Sequence, residues 1–328
     1  MDRKTPASID ELLAAASRIV EQGIGSVVVD VRWLNVGVMT FKCLVTTETD
    51  RRYIVRFYPE GRQAVVQFEP DLLQLLRSKN CKVPFPIVDS RSGPAAPLAY
   101  VAYEYIVGRT LLEQSGALES TKIRAVLAAA LTLTTEGLWT QQVRGFGDLV
   151  DSTQAHASTW RHWLNDSFET ILRLPHLLSD LPKDMELLLA AAHTRCRRFD
   201  PPNVATLAWG DMSGENILVS ATGELLALID FEAVLAAEPA LQFGYYYSRY
   251  AGTRLGECLP ESKQYGVGTD RVHLYSAIRG LRLLAHYDEP LPTGIARSPV
   301  NQILPGWLSS MTFLAQLHAN DYGAGRLK

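Results

Sequence analysis

The stretch GDMSGENILVSATGELLALIDFE, residues 210–232, constrains this chain more than any other. Two apolar runs, ILVS and LLALI, flank the turn-forming ATGE, so they are expected to pair as a β-hairpin turning near Gly223. Residues that face one another across a hairpin stand at equal distances from its turn, and Asn216 and Asp230 each lie seven positions from Gly223. They therefore fall opposite one another to within about a residue of register, where cross-strand Cβ atoms are roughly 4.5–5.5 Å apart. An amide oxygen and a carboxylate are delivered side by side at the open end of the hairpin, a pair of hard oxygen donors suited to Mg²⁺ that bridges nucleotide phosphates. Asp211, on the loop just upstream, would face the same point. Asp, Asn, Ser and Gly also suit a plain loop. What favours chemistry is their order, followed by a hairpin that ends in IDFE.

The rest of the chain organises around that hairpin. At the N-terminus, Ser8 followed three residues later by Glu11 predicts a capping box, and Ile9, Leu12, Leu13 and Ile19 supply the apolar face of a first helix. SVVVDVRWL, TFKCLVTT and YIVRFYP, rich in Val, Thr and aromatics, read as an antiparallel meander. A helix with Leu72, Leu73, Leu75 and Leu76 follows, which Pro70 must start or kink, and VPFPIVDS and PLAYVAYEYIVG add two extended segments. From Arg109 onward the pattern is helical, in ALESTKIRAVLAAALTLTTEGL, ASTWRHWLNDSFETILRLPHLL and DMELLLAAAHTRCRRF, with the only clear strands inside 204–232. Segments 255–270 and 288–303, dense in Gly, Pro, Ser and charge, read as loops. The expected architecture is α+β and two-lobed: a small β-rich N-terminal lobe over residues 1–108 and a larger, mostly helical C-terminal lobe over 109–328.

Composition removes several function classes. A net charge of −3 and a pI near 6.2 give no basic field for nucleic acid. Cys43, Cys81, Cys196 and Cys258 form no C-x-x-C pair and no histidine sits in H-E-x-x-H, so neither a zinc site nor a disulfide framework is expected. Asp10, Glu11 and Arg18 break what would be a signal peptide's apolar core, and no run reaches the roughly 20 apolar residues of a membrane span. The chain reads as cytoplasmic, soluble and without a membrane partner; its oligomeric state is not encoded in any pattern.

Asp211, an asparagine five positions later and an Asp-Phe dipeptide after a hairpin match the parts of a kinase catalytic loop, in which the aspartate accepts the substrate hydroxyl proton and the other two hold metal. The chain thereby resembles the aminoglycoside phosphotransferase and choline kinase-like superfamily, with its protein kinase-like fold; the family's His-Gly-Asp-Leu-x-x-x-Asn loop reads WGDMSGEN here and its metal motif reads IDFE. The resemblance extends through NVGVMTFK, YIVRFYP, VPFPIV, YEYIVGRTL and GFGDL. It implies Asp211 as the catalytic residue, and Asn216 and Asp230 as Mg²⁺ ligands. It further implies nucleotide contacts at Gly37 and Thr40 in the nucleotide loop, at Arg56 in the place of the third-strand lysine with Glu69 as its partner, and at Glu104 and Ile106 in the hinge. Departures are Arg56 itself, which is longer and planar, Trp209 where the family has histidine, a single glycine in the nucleotide loop, and Gln242 where an aspartate is common. Tyr245, Tyr246 and Tyr247 are consecutive on a helix, so at most one or two could line an acceptor pocket.

The expected activity is transfer of the γ-phosphate of ATP or GTP to a hydroxyl of a small molecule, by family resemblance an antibiotic or related natural product. The helical half has no dense carboxylate cluster for a polycationic aminoglycoside, which favours a neutral or nucleoside-like acceptor. Two other readings stay open here: a metabolic kinase for choline, homoserine or a similar amine, and a nucleotide-binding pseudokinase that lacks the usual lysine and histidine.

Overall fold

The computed structural model describes residues 8–35, 39–174, 184–286 and 300–324. The chain divides into two compact units, one built from most residues up to Val107 and the other from most of those from Gly108 onward.

The first unit opens on the expected capping box. The Glu11 N–H donates to Ser8 Oγ at 3.2 Å and the Ser8 N–H to the Glu11 carboxylate at 2.7 Å, starting helix α1 (Ile9–Ile24). Leu12 and Ile19 are buried as expected, together with Ala15, Ala16 and Val20, whereas Ile9, in the first turn ahead of that stripe, is 52% exposed. Strands β1 (Val28–Leu34), β2 (Phe41–Thr47), β3 (Arg52–Tyr58), β4 (Pro86–Asp89) and β5 (Ala99–Glu104) form one antiparallel sheet in the order β1-β2-β3-β5-β4. The first three are the meander read from the sequence. Side chains alternate across a sheet. Tyr53, Val55 and Phe57 of β3 therefore share a face with Tyr100 and Ala102 of β5, and that face packs on α1 as the unit's core. Arg56, Tyr58 and Tyr103 belong to the opposite face. Helix α2 (Glu69–Ser78) starts at Glu69 with Pro70 in its first turn, where the missing N–H has no intrahelical partner to lose.

The second unit carries the hairpin. Strands β6 (Arg109–Thr110), β11 (Ile217–Val219) and β12 (Leu225–Leu228) form a three-stranded antiparallel sheet. Ile217 pairs with Leu228, and the Ile229 N–H donates to the Asn216 carbonyl at 2.9 Å, so Asn216 faces Ile229, one residue from the expected Asp230. The offset sits beside a bulge at Leu218/Val219, and Gly223 supplies the turn's positive φ of 79°.

Strands are not confined to 204–232. A second sheet in this unit runs β7 (Gln142–Val143), β10 (Ala205–Trp209), β13 (Val234–Ala237), β8 (Phe146–Asp151) and β9 (Gln154–Ala157), so that GFGDL lies largely in a strand beside the one that follows IDFE. Around these sheets lie α3 (Leu111–Gln114), α4 (Ser120–Gly137), α5 (Trp160–Leu172), α6 (Met185–Cys196), α7 (Ala240–Tyr250), α8 (Arg254–Cys258), α9 (Thr269–Ala285), α10 (Val300–Ile303) and α11 (Pro305–Ala324). The segment 255–270 is thus not a plain loop: Thr253 Oγ1 accepts the Gly256 N–H at 3.2 Å and caps α8, a 3₁₀ turn covers Ser262–Tyr265, and α9 begins at Thr269. Of 288–303, the stretch 300–303 is helix α10 and 288–299 lies outside the described residues, as do residues 175–178 at the end of the predicted PHLL helix. Helices α7 and α9 pack against each other at Gly244, where a Cβ would stand 2.5 Å from Tyr275 Cβ.

Candidate active site

The loop from Trp209 to Asn216 is held at both ends by its own sequence. Trp209 ends β10 fully buried, stacks on Phe231 with ring centroids 4.8 Å apart, and donates from Nε1 to the Asp230 carbonyl at 3.1 Å. The residue in the place of the family's histidine therefore fastens the backbone of the IDFE motif. Asp230 itself is left-handed, at φ 67° and ψ 66°, a conformation that aspartate tolerates better than most residues. Gly210 donates to the Ala233 carbonyl at 2.9 Å, and a Cβ there would come within 2.5 Å of that oxygen. Only glycine allows so close an approach, and it fixes where Asp211 emerges.

Asn216 is clamped onto Asp211. Its Nδ2 donates to the Asp211 carbonyl at 2.9 Å and to Asp211 Oδ2 at 2.8 Å. Both partners are acceptors, so the amide must present its NH₂ to them, which leaves Oδ1 as the atom available to a cation. Tyr250 braces the loop by accepting the Gly214 N–H at 2.9 Å, and the buried Ser213 hydroxyl has no hydrogen-bond partner among the described residues.

The sequence reading missed two arginines at Asp211. Arg279 Nη2 lies 3.3 Å and Arg249 Nη1 3.5 Å from Asp211 Oδ1, while Arg249 Nη2 reaches Glu215 at 2.5 Å. Arg249 comes from the last turn of α7 and Arg279 from α9. Arg279 rests over the ring of Tyr245, its Cζ 5.1 Å from the centroid. The one signal for them in the sequence is an arginine interrupting otherwise apolar helical runs, in YYYSRY and AIRGLRLLA. Tyr245 and Tyr246 are buried, and the Tyr246 hydroxyl donates to the Leu255 carbonyl at 3.0 Å. Gln242, also buried, donates to Thr134 Oγ1 at 2.8 Å, so a neutral hydrogen bond stands where the family commonly has a carboxylate.

In the first unit, Arg56 and Glu69 meet. Arg56 Nη1 lies 3.5 Å from Glu69 Oε1, with the residues only 6% and 1% exposed. Glu69 Oε2 accepts from the Tyr103 hydroxyl at 2.7 Å and from the Tyr58 hydroxyl, and those two hydroxyls lie 2.8 Å apart. Burial first, then the Glu69 charge, pushes the Tyr103 hydroxyl well above the usual phenol range, so it remains a donor. Thr40 is buried and its hydroxyl has no hydrogen-bond partner among the described residues. Glu104 ends β5 with an exposed side chain, its N–H donating to the Phe85 carbonyl at 3.1 Å, and Ile106 is half-buried in the segment that follows. Gly37 lies outside the described residues.

Among the described residues no group of three or more His, Cys, Asp or Glu is arranged to hold a metal ion. The oxygen donors expected from the sequence are instead the amide oxygen of Asn216 and the carboxylate of Asp230, which stand near the end of the hairpin. By chemistry such oxygens could hold Mg²⁺, which binds through one or two protein oxygens and completes its shell with water and phosphate. No described helix is long and apolar enough to cross a membrane.

A family model described as the phosphotransferase enzyme family matches residues 36–275. A search of curated proteins finds no significant match. Among solved structures, a thermostable mutant of aminoglycoside phosphotransferase APH(4)-Ia in ternary complex with ADP and hygromycin B is 17% identical, with a TM-score of 0.66 over 95% of this chain and 98% of that one. Spectinomycin phosphotransferase APH(9)-Ia, in complex with ADP and spectinomycin, is 12% identical, with a TM-score of 0.60 over 96% and 99%. The GDP complex of aminoglycoside 2'-phosphotransferase-IIIa is 16% identical, with a TM-score of 0.56 over 95% and 99%. These likenesses give the fold, the kinase-like α+β architecture read from the sequence. The family match spans well over half of the 328 residues, and the chain belongs to the phosphotransferase enzyme family.

Proposed function

We propose that this phosphotransferase moves the γ-phosphate of ATP or GTP to a hydroxyl of a small natural product of the kind that antibiotics represent. The observation that carries this reading is the Asn216 clamp: two hydrogen bonds from one amide hold Asp211 and turn the amide oxygen outward, as proton acceptance and metal ligation at neighbouring points require. Structures of similar fold hold ADP with hygromycin B, ADP with spectinomycin, and GDP.

In this reading the acceptor hydroxyl hydrogen-bonds to Asp211. Its oxygen forms a bond to the γ-phosphorus as the bond from that phosphorus to the β,γ-bridging oxygen breaks. The nucleoside diphosphate leaves with that electron pair, and the hydroxyl proton passes to the Asp211 carboxylate. Asn216 and Asp230 would hold Mg²⁺, which when bound neutralises phosphate charge. Arg56, steadied by Glu69, would hold nucleotide phosphates by charge and fork geometry. Gly37, Thr40, Glu104 and Ile106 remain candidate nucleotide contacts. Catalysis is then positioning and charge stabilisation. An amine acceptor caged by the tyrosine run is less well supported, because Tyr245 and Tyr246 are packed away and Arg279 already lies over the Tyr245 ring.

The test is nucleotide turnover with and without a panel of hydroxylated acceptors, run in parallel on Asp211→Asn. Transfer should be abolished in the variant while nucleotide affinity stays close to that of the parent, since the carboxylate acts on the acceptor and not on the nucleotide. Near-parental turnover in Asp211→Asn would remove Asp211 from the mechanism.

A further inference from the structure

Arg279 is committed to the protein much more weakly than its neighbours. Arg282, three residues on along α9, makes two bonds to Asp148, at 2.6 and 2.8 Å. Arg249 spends Nη2 on Glu215 at 2.5 Å and keeps Nη1 near Asp211. Among the described residues Arg279 has a single hydrogen bond, 3.3 Å long, to Asp211 Oδ1, at the weak end for an N–H donor. A guanidinium carries five N–H donors in one plane. Its place over the Tyr245 ring, with Cζ 5.1 Å from the centroid, uses none of them.

The cluster is also open. The side chains of Asp211, Arg249 and Arg279 are 26%, 26% and 27% exposed, so a solute can reach all three. Asp211 and Glu215 balance the two arginines in formal charge, but Glu215 is taken by Arg249 and Asp211 must be released to an acceptor hydroxyl during transfer. A substrate hydroxyl on Asp211 then leaves Arg279 facing the substrate with an unspent fork.

We infer that the acceptor bears an acidic group, a carboxylate or a phosphate ester, within a few bonds of the hydroxyl that is phosphorylated, and that Arg279, with Arg249 beside it, reads that group. This rests on the kinase reading above and narrows it. Arg279 Nη2 is 3.3 Å from the Asp211 oxygen that would meet the hydroxyl, so an anion on the fork and a hydroxyl on Asp211 belong to neighbouring parts of one small molecule. Hydroxy acids and sugar phosphates have that shape. A polycationic amino sugar would bring ammonium groups against two guanidiniums and be disfavoured. The anionic group takes no part in bond making; it sets where the hydroxyl lies.

Matched pairs test this. Glycerate, gluconate and glycerol 3-phosphate are compared with glyceramide, glucose and glycerol, and with kanamycin as the polycation, in two assays on the full chain. The first is NMR titration of each compound against the ADP-bound protein; the second is transfer of label from γ-labelled ATP and GTP. At least one acid should bind tenfold or more tightly than its neutral partner. In Arg279→Gln that preference should collapse at least tenfold, through KM rather than kcat where transfer is seen, with partial recovery in Arg279→Lys. Equal binding of acid and neutral partner, preference for kanamycin, or an Arg279→Gln effect equal on both members of a pair would each overturn the inference. Transfer to neutral or cationic acceptors with no acid preference leaves the kinase reading standing and removes this one. Absence of both acid binding and any nucleotide turnover removes both.

Discussion

Replacing Glu69 by alanine should be among the most damaging single changes in the first unit. Glu69 balances Arg56 at 3.5 Å inside the protein and accepts two tyrosine hydroxyls, so truncation removes both the carboxylate that faces a buried guanidinium and the shared acceptor of Tyr58 and Tyr103. Breaking a buried pair from one side costs about 3–5 kcal/mol, because the remaining charge stays desolvated. Glu69→Gln keeps an acceptor for the tyrosines but not the charge, and should fall between that value and the parent. The informative variant is Arg56→Met with Glu69→Gln. It removes both charges of the pair and retains an acceptor, so stability should return to within about 1–2 kcal/mol of the parent, since neutral replacements of buried pairs are often tolerated. If Arg56 holds nucleotide phosphates, phosphoryl transfer stays lost in that double variant, whereas Arg56→Lys recovers part of it by keeping charge without the fork. Guanidinium unfolding followed at Trp33, together with kcat/KM on one preparation, reads both quantities. A Glu69→Ala cost under about 0.5 kcal/mol, the range of a surface change, would show that the pair is not energetically coupled. Parental activity in the double variant would break the phosphate role and turn attention to Lys42, Arg52 and Arg62.

Asp230→Ala should lose the Mg²⁺-dependent part of nucleotide affinity, because the two-donor set keeps only an amide oxygen; nucleotide titrations with and without Mg²⁺ check it, and an unchanged difference would reduce IDFE to a strand end. Gly210→Ala forces a Cβ to within 2.5 Å of the Ala233 carbonyl, so it should cost about 1–3 kcal/mol as an overpacked site and lower kcat by displacing Asp211. Burial, helped by Arg197 and opposed by Glu169, holds His193 below the usual imidazole range, and burial against the opposing pull of Asp270 does the same for His273. The unfolded chain therefore binds more protons than the native one below about pH 6.5. Stability is fully present above that pH and falls as the pH drops below it. The fall should flatten in His193→Gln with His273→Gln, and an unchanged slope of melting temperature against pH would refute the assignment.

What the sequence made legible was local. A turn glycine between two apolar runs places a hairpin, and the hairpin places Asn216 within one residue of its partner; only the bulge at Leu218/Val219 was hidden. Strand alternation likewise puts Arg56 and Tyr58 on the face away from α1, where Glu69 of α2 meets them. Short strands were not legible. Of β7 to β9 the longest has six residues, and Gly145 and Gly147 there sit at φ 83° and 85°, a conformation that carries no strand signal. Gly147 is needed because a Cβ would strike the Trp163 indole at 2.3 Å, a contact between residues far apart in the chain. The place of Arg249 and Arg279 at Asp211 was not legible for the same reason: they reach it because α7 and α9 pack closely at Gly244, and no local pattern encodes that crossing.

The two departures that weighed against catalysis read differently once their contacts are known. An arginine for the usual lysine could have been a solvent-facing strand residue, yet Arg56 is buried and paired with the glutamate at the start of α2. A tryptophan for the usual histidine could have been mere filling, yet Trp209 donates an N–H to the Asp230 carbonyl while its ring stacks on Phe231. What such a position must supply is a donor that holds Asp230 in its left-handed conformation, and an indole N–H does that without being able to accept a proton. In the proposed mechanism proton transfer then falls to Asp211, and the base must be judged by the groups around it. Two of those groups are arginines, so an acceptor that released its proton there, as proposed, would meet positive charge on arrival.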